Sequence, residues 1–546
     1  MRKLIGSCCG ALLALGLIGH GIAQAHGNTT ATATPIKHVV VIFGENVSFD
    51  HYFGTYPHAV NSPGEPPFHA RPDTPTINGL TSTLLEHNPN FLNIKVNKDD
   101  ATNPFRLSRA QAATADEGHD YTAEQRAFHA GLMDSFPRYT GTLGSPAVKK
   151  RLGSERVAGP KHYAYQTKGL VMGYYDGNTV TALWNYAQRY AMNDNSFGTT
   201  FGPSTLGAIE LVSGQTNGIS DKINPGNTIV EGGDGTYTMV VDGQPIGDVC
   251  SALSGALLRL SGNNIGMMLS KKNVSWGWFQ GGFDLTKKNA NGTTGCLRST
   301  YSTIVKETNT DYRPHHQPFQ YYKETANLAH VRPSSVHTIG HDGDAGNHQY
   351  DVNDFYAAVR AGNYPAVSFL KAPAYQDGHA GYSDPLDEQT FMVQVINFLQ
   401  KQPDWKSTAV ILAYDDSDGW YDHQMSPIVN QSTTRVDALT GPGQCGDGSS
   451  ALPGPHTAHA QGRCGYGPRL PLLVVSPYAR KNFVDHTLTD QTSILRFIED
   501  NWLGGERVGG GSFDAIAGPI NGMFDFNHSD PKPYILNDST GLVVKQ

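Results

Sequence analysis

Several runs of strand length are apolar without interruption and stand out against long polar, Gly- and Pro-rich stretches. Val39 to Phe43 is β-branched and closed by Gly44, which reads as a strand buried on both faces. Thr408 to Tyr414 is of the same kind, Ala366 to Leu370 and Leu470 to Ser476 are further core strands, and Gly169 to Tyr175 is another candidate. Between these runs the period changes to that of a helix: over Ala123 to Met133, from a capping Asn178 to about Ala191, and from Ser204 to a terminating Gly214. Asp387 to Lys401 carries Phe391, Met392, Val395, Ile396 and Leu399 on one stripe, and Asp490 to Trp502 is a last helix. These elements predict an α/β fold, a central and mostly parallel sheet flanked by helices.

Other stretches break the pattern. Val47 to Gly54 is aromatic-rich, a short helix or turn. Asn61 to Pro104 reads as a surface excursion anchored by Leu84, Leu85 and Phe91. Residues 219–335 alternate short strands with Gly/Asn turns, an inserted loop- and strand-rich subdomain, and 440–468 is a Gly/Pro-rich loop. The Gly-rich run 504–511 reads as surface, and no internal repeat is found.

Composition and charge narrow the picture. The basic Met1-Arg2-Lys3, the apolar Leu4 to Ile18 and Ala23-Gln24-Ala25 form a secretory signal peptide over residues 1–25. It directs the chain to the periplasm or the medium and leaves 26–546 as one domain with insertions. No other stretch is long and apolar enough to anchor the chain in a membrane. Two of the six cysteines leave with the signal. The other four pair by proximity as Cys250–Cys296, inside the insertion, and Cys445–Cys464, stapling the later loop, although four cysteines allow three connectivities. No CxxC pair offers a thiolate zinc site. A net charge of −8 without any basic tract excludes a nucleic-acid partner.

Candidate chemistry gathers at strand ends. Glu45 and Asn46 follow the first strand, where α/β sheets place their ligands. Asp415, Asp416, Asp418 and Asp422 put four acids within eight residues after another strand, interleaved with Trp420 and Tyr421. Like charges this close need a cation or protonation. Ser204 and Thr205 open a helix after a Gly-rich approach, where a hydroxyl sits in a positive field suited to phosphate or an alkoxide. Serine is equally a favoured N-cap, and the residues alone leave both open. His315 and His316 in a loop can point into a common cleft, and His379 in the polar loop 376–384 is a titratable group that can reach a substrate, whereas His119 at a helix entry reads first as a structural or cap residue.

Four motifs, Gly44 to Gly54, Phe201 to Thr205, Asp377-Gly378-His379 and Asp415 to His423, together resemble the secreted phosphoesterase family of bacterial acid phosphatases and phospholipases C, within the alkaline phosphatase–like superfamily. They span nearly the whole chain in order. The resemblance implies one divalent metal ion held by Glu45, Asn46, Asp415, Asp416 and Ser204, with Ser204 also the nucleophile and Thr205 the runner-up. It implies phosphate-surrounding histidines at His119, His315, His316 and His379, with Asp418 and His423 as further contacts. An all-oxygen ligand set favours Ca²⁺, Mg²⁺ or Mn²⁺ and leaves zinc and iron open.

Leu206 departs from the proline of many relatives, and Ala208 stands where a sulfatase carries arginine. Larger phospholipase C members carry C-terminal β-domains for which a chain ending at Gln546 has no room, which favours an exported acid phosphatase acting on small phosphate esters through a phosphoserine. A phospholipase C acting on phosphatidylcholine-like head groups is the alternative, and a cation-dependent binding protein a third reading. If several histidines must be cationic, activity falls as pH rises through about 6.5.

Overall fold

The apolar runs form the middle of an eight-stranded sheet. In chain order its strands are β1 (His38–Gly44), β2 (Ala191–Asn193), β3 (Trp276–Gln280), β4 (Gln349–Asp351), β5 (Val367–Lys371), β6 (Thr408–Tyr414), β7 (Leu472–Val475) and β8 (Phe483–Asp485). They lie in the order β4-β3-β5-β1-β6-β7-β2-β8, and every neighbouring pair is parallel except the two that involve β7. The molecule, a computed structural model, is described over residues 31–143, 167–233, 235–449, 452–454 and 460–545; the expected signal peptide lies outside them. The mostly parallel α/β sheet is the one expected.

β1 and β6 are buried along their whole length, as their apolar sequences require. Their pairing runs without a slip from His38 opposite Thr408 to Gly44 opposite Tyr414. Both therefore stop at one level, and Glu45-Asn46 emerges beside Asp415-Asp416. On the other side of β1, β5 pairs Ile42 with Leu370, so its last residue, Lys371, reaches the same edge.

The helices used below are α1 (Phe49–Phe53), α2 (Tyr121–Phe128), α3 (Thr181–Arg189), α4 (Ser204–Ser213), α5 (Pro385–Leu399) and α6 (Thr492–Trp502). α4 ends as expected at Gly214, whose φ of 66° is the left-handed turn that glycine adopts without cost. α5 starts two residues early because Asp384 accepts the Leu386 and Asp387 N–H groups, with Pro385 in the first turn. α2 stops short of Met133, since His129 and Ala130 turn left-handed (φ 46° and 52°).

Four expectations are corrected. Gly169 to Tyr175 is a 3₁₀ turn over Lys168–Met172 and a two-residue strand, Gly173–Tyr174. Leu170, Val171 and Met172 are buried there as a turn, not along a ladder. Asn178 does not cap α3, because Val180 holds that position. Its side chain instead accepts the Asn61 N–H (2.7 Å) and donates to the Pro66 carbonyl (2.9 Å), fastening the excursion. That excursion is held by amides, since Asn88, Asn90 and Asn97 are buried while Leu84, Leu85 and Phe91 are only half-buried. Lastly, 219–335 is not separate throughout. Ile219–Ile223, Gln244–Pro245 and Leu257–Leu260 make a small sheet of their own, whereas β3 lies within the central sheet. Both expected disulfides, Cys250–Cys296 and Cys445–Cys464, are formed.

One buried ion cluster ties these parts together. The fully buried Arg469 guanidinium meets Asp50 of α1 (2.9 Å) and Asp422 (3.1 Å), donates to the carbonyls of Asn78 (2.7 Å) and Asp194 (3.0 Å), and lies over the Phe49 ring. Asp50 also binds His423 Nδ1 at 2.6 Å. Removing one partner of such a cluster strands buried charge. Arg469→Met is therefore expected to lower stability by about 3–5 kcal/mol in urea denaturation. Arg71→Met, which breaks an exposed pair with Asp73, should leave stability close to that of wild type. Equal losses for the two variants would show the cluster to be dispensable.

Candidate active site

The level ends of β1 and β6 bring three carboxylates and an amide to one point, and the first turn of α4 is set against them. That approach is close: a Cβ on Gly207 would stand 2.1 Å from the Asp415 carbonyl oxygen, so the helix fits only with glycine there. Gln491, just before α6, donates to the Tyr414 carbonyl (3.0 Å) and accepts the Thr199 N–H (3.1 Å), linking the end of β6 to the approach to Ser204. Asn46 and Asp418 are left-handed (φ 60° and 53°), a conformation these two residue types tolerate and one that often marks functional positions.

Ser204 Oγ lies 3.1 Å from Glu45 Oε2, 3.2 Å from Asn46 Oδ1 and 3.0 Å from Asp416 Oδ2. One hydroxyl proton cannot serve three acceptors. Asp415 Oδ1 accepts the Asn46 and Asp416 N–H groups (2.9 and 2.8 Å), while its Oδ2 is buried without a hydrogen-bond partner. Burial and the Asp415 charge push the Glu45 and Asp416 carboxyls far above their usual range. Convergent oxygen donors, an orphaned carboxylate oxygen and mutual repulsion together fit a hard divalent cation.

The four histidines ring this point. His316 Nδ1 is 3.0 Å from Glu45 Oε1, its Nε2 is buried without a partner, and its ring meets His315 edge-on at 4.2 Å. His119 Nδ1 is 3.1 Å from Asp418 Oδ1, which also accepts from the Asn46 side chain (3.2 Å), and its ring centroid is 6.0 Å from that of His379. Two nitrogen-containing sets, Glu45–His316–Asp377 and Asp116–His119–His379, could also hold a metal, which keeps zinc and iron in play.

Their charge states differ. Burial lowers His315, His316 and His379 below 6.5. For His119 burial works the same way, but Asp416 and Asp418 outweigh it and raise the ring well above 6.5. One cationic ring and three neutral ones replace the several cationic histidines anticipated, because three of the four lack a carboxylate strong enough to offset burial.

Other expectations are redrawn. The Thr205 hydroxyl donates to Asp242 Oδ1 (2.7 Å), as does its N–H (3.0 Å), so Thr205 is turned away from the carboxylates and part of the helix's anion-binding capacity is already used. His423 belongs to the Arg469 cluster, with Asp50 and Asn78 as its partners. Asp418, expected only as a further contact, lies between Asn46 and His119. Three residues escaped the sequence reading. Lys371 is fully buried, with its ammonium on Glu45 Oε1 and 3.9 Å from Asp415 Oδ2. Its signal was a lone lysine closing an apolar strand. Asp377, pushed by burial to about 7, was visible in its motif but was given no role. Asp242 had no signal, since it comes from a Gly-rich loop of the insertion.

The chain is 32% identical over 203 residues to a non-hemolytic phospholipase C of Burkholderia pseudomallei, covering 36% of this chain and 28% of that enzyme. It is 28% identical over 184 residues to a non-hemolytic phospholipase C of Pseudomonas aeruginosa, covering 32% and 25%. These matches span only about a quarter of the relatives' own length. Phospholipase C A of Mycobacterium tuberculosis matches more extensively, at 23% identity over 489 residues, 87% of this chain and 74% of the enzyme. The Phosphoesterase family model matches residues 36–503, and the chain belongs to that family.

Proposed function

We propose that the chain is an exported, metal-dependent phosphoric ester hydrolase of phospholipase C type, cleaving the phosphodiester of phospholipid-like substrates with Ser204 as nucleophile. The observation that carries the reading is the Ser204 hydroxyl at the start of α4, 3.0–3.2 Å from Glu45, Asn46 and Asp416. Two disulfides support export, and among the described residues no helix is long and apolar enough to cross a membrane. The curated relatives named above are phospholipases C, which moves the emphasis from the phosphate monoesters first anticipated to diesters.

Glu45, Asn46, Asp415, Asp416 and Ser204 would hold the ion, which when bound lowers the pKa of a hydroxyl and offsets charge on the phosphoryl oxygens. Ser204 gives its proton to a neighbouring carboxylate, of which Asp416 Oδ2 is the closest. Its Oγ forms a bond to phosphorus as the bond to the leaving alcohol breaks. His119, the ring held in its charged form, supplies the proton the leaving oxygen takes up. A neutral ring among His315, His316 and His379 then takes a proton from the water that releases the phosphoserine.

Ser204→Ala is expected to cut turnover of p-nitrophenylphosphocholine and p-nitrophenyl phosphate by at least roughly a thousandfold. Faster cleavage of the first supports the phospholipase C reading; faster cleavage of the second returns the chain to the phosphatases. A divalent ion added after chelation should restore turnover and raise the melting temperature, because it ends the repulsion among Glu45, Asp415 and Asp416. No thermal shift with Ca²⁺, Mg²⁺, Mn²⁺, Zn²⁺ or Fe²⁺ would contradict the ligand set. Rings with lowered pKa values are neutral at neutral pH, and acid removes their function. Activity should therefore hold above pH 6.5 and fall as pH drops through a lower value. A decline on raising pH through 6.5 would restore the acid-optimum expectation.

A further inference from the structure

Asp242 stands beside the nucleophile without belonging to the proposed ligand set or to the four histidines. It reaches the site from the insertion, following the strand Tyr237–Met239. Its loop is firmly placed: Met239 N donates to the Thr216 carbonyl (3.0 Å), Val240 N to that of Thr228 (2.9 Å), and the buried Tyr321 hydroxyl to that of Gly243. The next strand, Gln244–Pro245, packs on the turn Pro314–His316 that carries His315 and His316. Asp242 Oδ1 takes both the N–H and the hydroxyl of Thr205, the residue after Ser204. Burial would raise this carboxyl, but His315, the Thr205 hydroxyl and His119 hold it below its usual range, so it is ionised wherever the enzyme would work.

A helix cap alone would not need that charge. α4 has no side-chain cap of its own, because Pro203 occupies the position, and an asparagine at 242 could accept the Thr205 N–H equally well. A fixed anion held on the residue after the nucleophile, at the start of α4, has a further consequence, since it opposes a second negative charge on a phosphoryl group at Ser204 more than the first. A phosphate monoester carries close to two charges near neutral pH and a diester one.

Building on the phosphoester-hydrolase reading above, we propose that Asp242 is a specificity residue that sorts substrates by phosphoryl charge, admitting monoanionic phosphodiesters and disfavouring dianionic phosphate monoesters. A like charge a few ångströms away in a half-buried site is worth roughly a tenfold change in binding.

The experiment is calorimetric titration of wild type, Asp242→Asn and Asp242→Glu near pH 8 with inorganic phosphate and with dimethyl phosphate, beside turnover of p-nitrophenyl phosphate and bis(p-nitrophenyl) phosphate. Asp242→Asn should bind inorganic phosphate roughly tenfold tighter relative to dimethyl phosphate and raise the monoester-to-diester ratio of kcat/KM by a similar factor. Asp242→Glu, which restores the charge, should return both ratios toward wild type, and so should Thr205→Val, which loosens the loop but keeps the carboxylate. A cap without a charge role would let Asp242→Asn pass with both ratios unchanged, and that result overturns the inference. So does an equal gain for both anions, or no phosphate binding by any variant. If the anion ratio shifts while no protein cleaves either ester, the inference stands and the hydrolase reading fails.

Discussion

Carboxylates do not gather in a protein interior of their own accord. The in-register pairing of β1 with β6 brings Glu45 and Asp416 within reach of one hydroxyl, with Asp415 beside them, at a depth where burial and the Asp415 charge oppose the ionisation of Glu45 and Asp416. Three acceptors around a single proton and an orphaned carboxylate oxygen mark a place that only positive charge can settle. The rest of the site answers that constraint. Lys371 supplies one fixed positive charge from the end of β5, and Glu45 with Asp415 outweighs burial to keep it protonated. His119 supplies a second through Asp416 and Asp418. A divalent ion would supply the largest part.

The centre of this site was legible because chemistry and periodicity coincide there. Unbroken β-branched runs give buried parallel strands, and acids after such runs can only stand at the sheet edge where ligands bind. Glu45, Asn46, Asp415 and Asp416 stood out as candidates for that reason, whereas Ser204 read equally well as a helix cap and its role was implied only by the family resemblance. The strands β2, β3, β4 and β8 did not follow. They are three to five residues long, and Trp276–Gln280 lies inside a stretch whose Gly/Asn turns read as an insertion. Its place between β4 and β5 is set by long-range pairing that local pattern does not encode. Lys371 and Asp242 were missed for opposite reasons. A single lysine after an apolar strand carries no pattern that tells a buried charge from a solvated one, and the aspartate comes from a loop far along the chain.

The histidines show where residue counting misleads. Four imidazoles around a phosphate site suggest four potential cations, yet charge depends on which carboxylates face each ring. His119 has Asp416 and Asp418, whereas His316 has Glu45 but is governed by burial and by the nearby Lys371 ammonium. The same residue type is therefore available as an acid at one edge of the site and as a base at the other, a division general acid–base chemistry requires and a uniformly charged ring of histidines would not provide.

The acidic motif itself is divided in the same way. Its first half, Asp415 to Asp418, faces the nucleophile. Its second half, Asp422 and His423, turns to Arg469 and Asp50, and Asp50 lies only four residues after Asn46. The two segments that carry most of the proposed metal ligands are thus each pinned, a few residues beyond those ligands, to a single buried guanidinium. Repulsion among Glu45, Asp415 and Asp416 would drive these segments apart before a cation arrives, and the Arg469 cluster opposes that from below. The site can then stay preorganised for an ion without being neutralised by one, because the attraction that holds its loops and the charges that bind its ligand are carried by different residues of the same two segments.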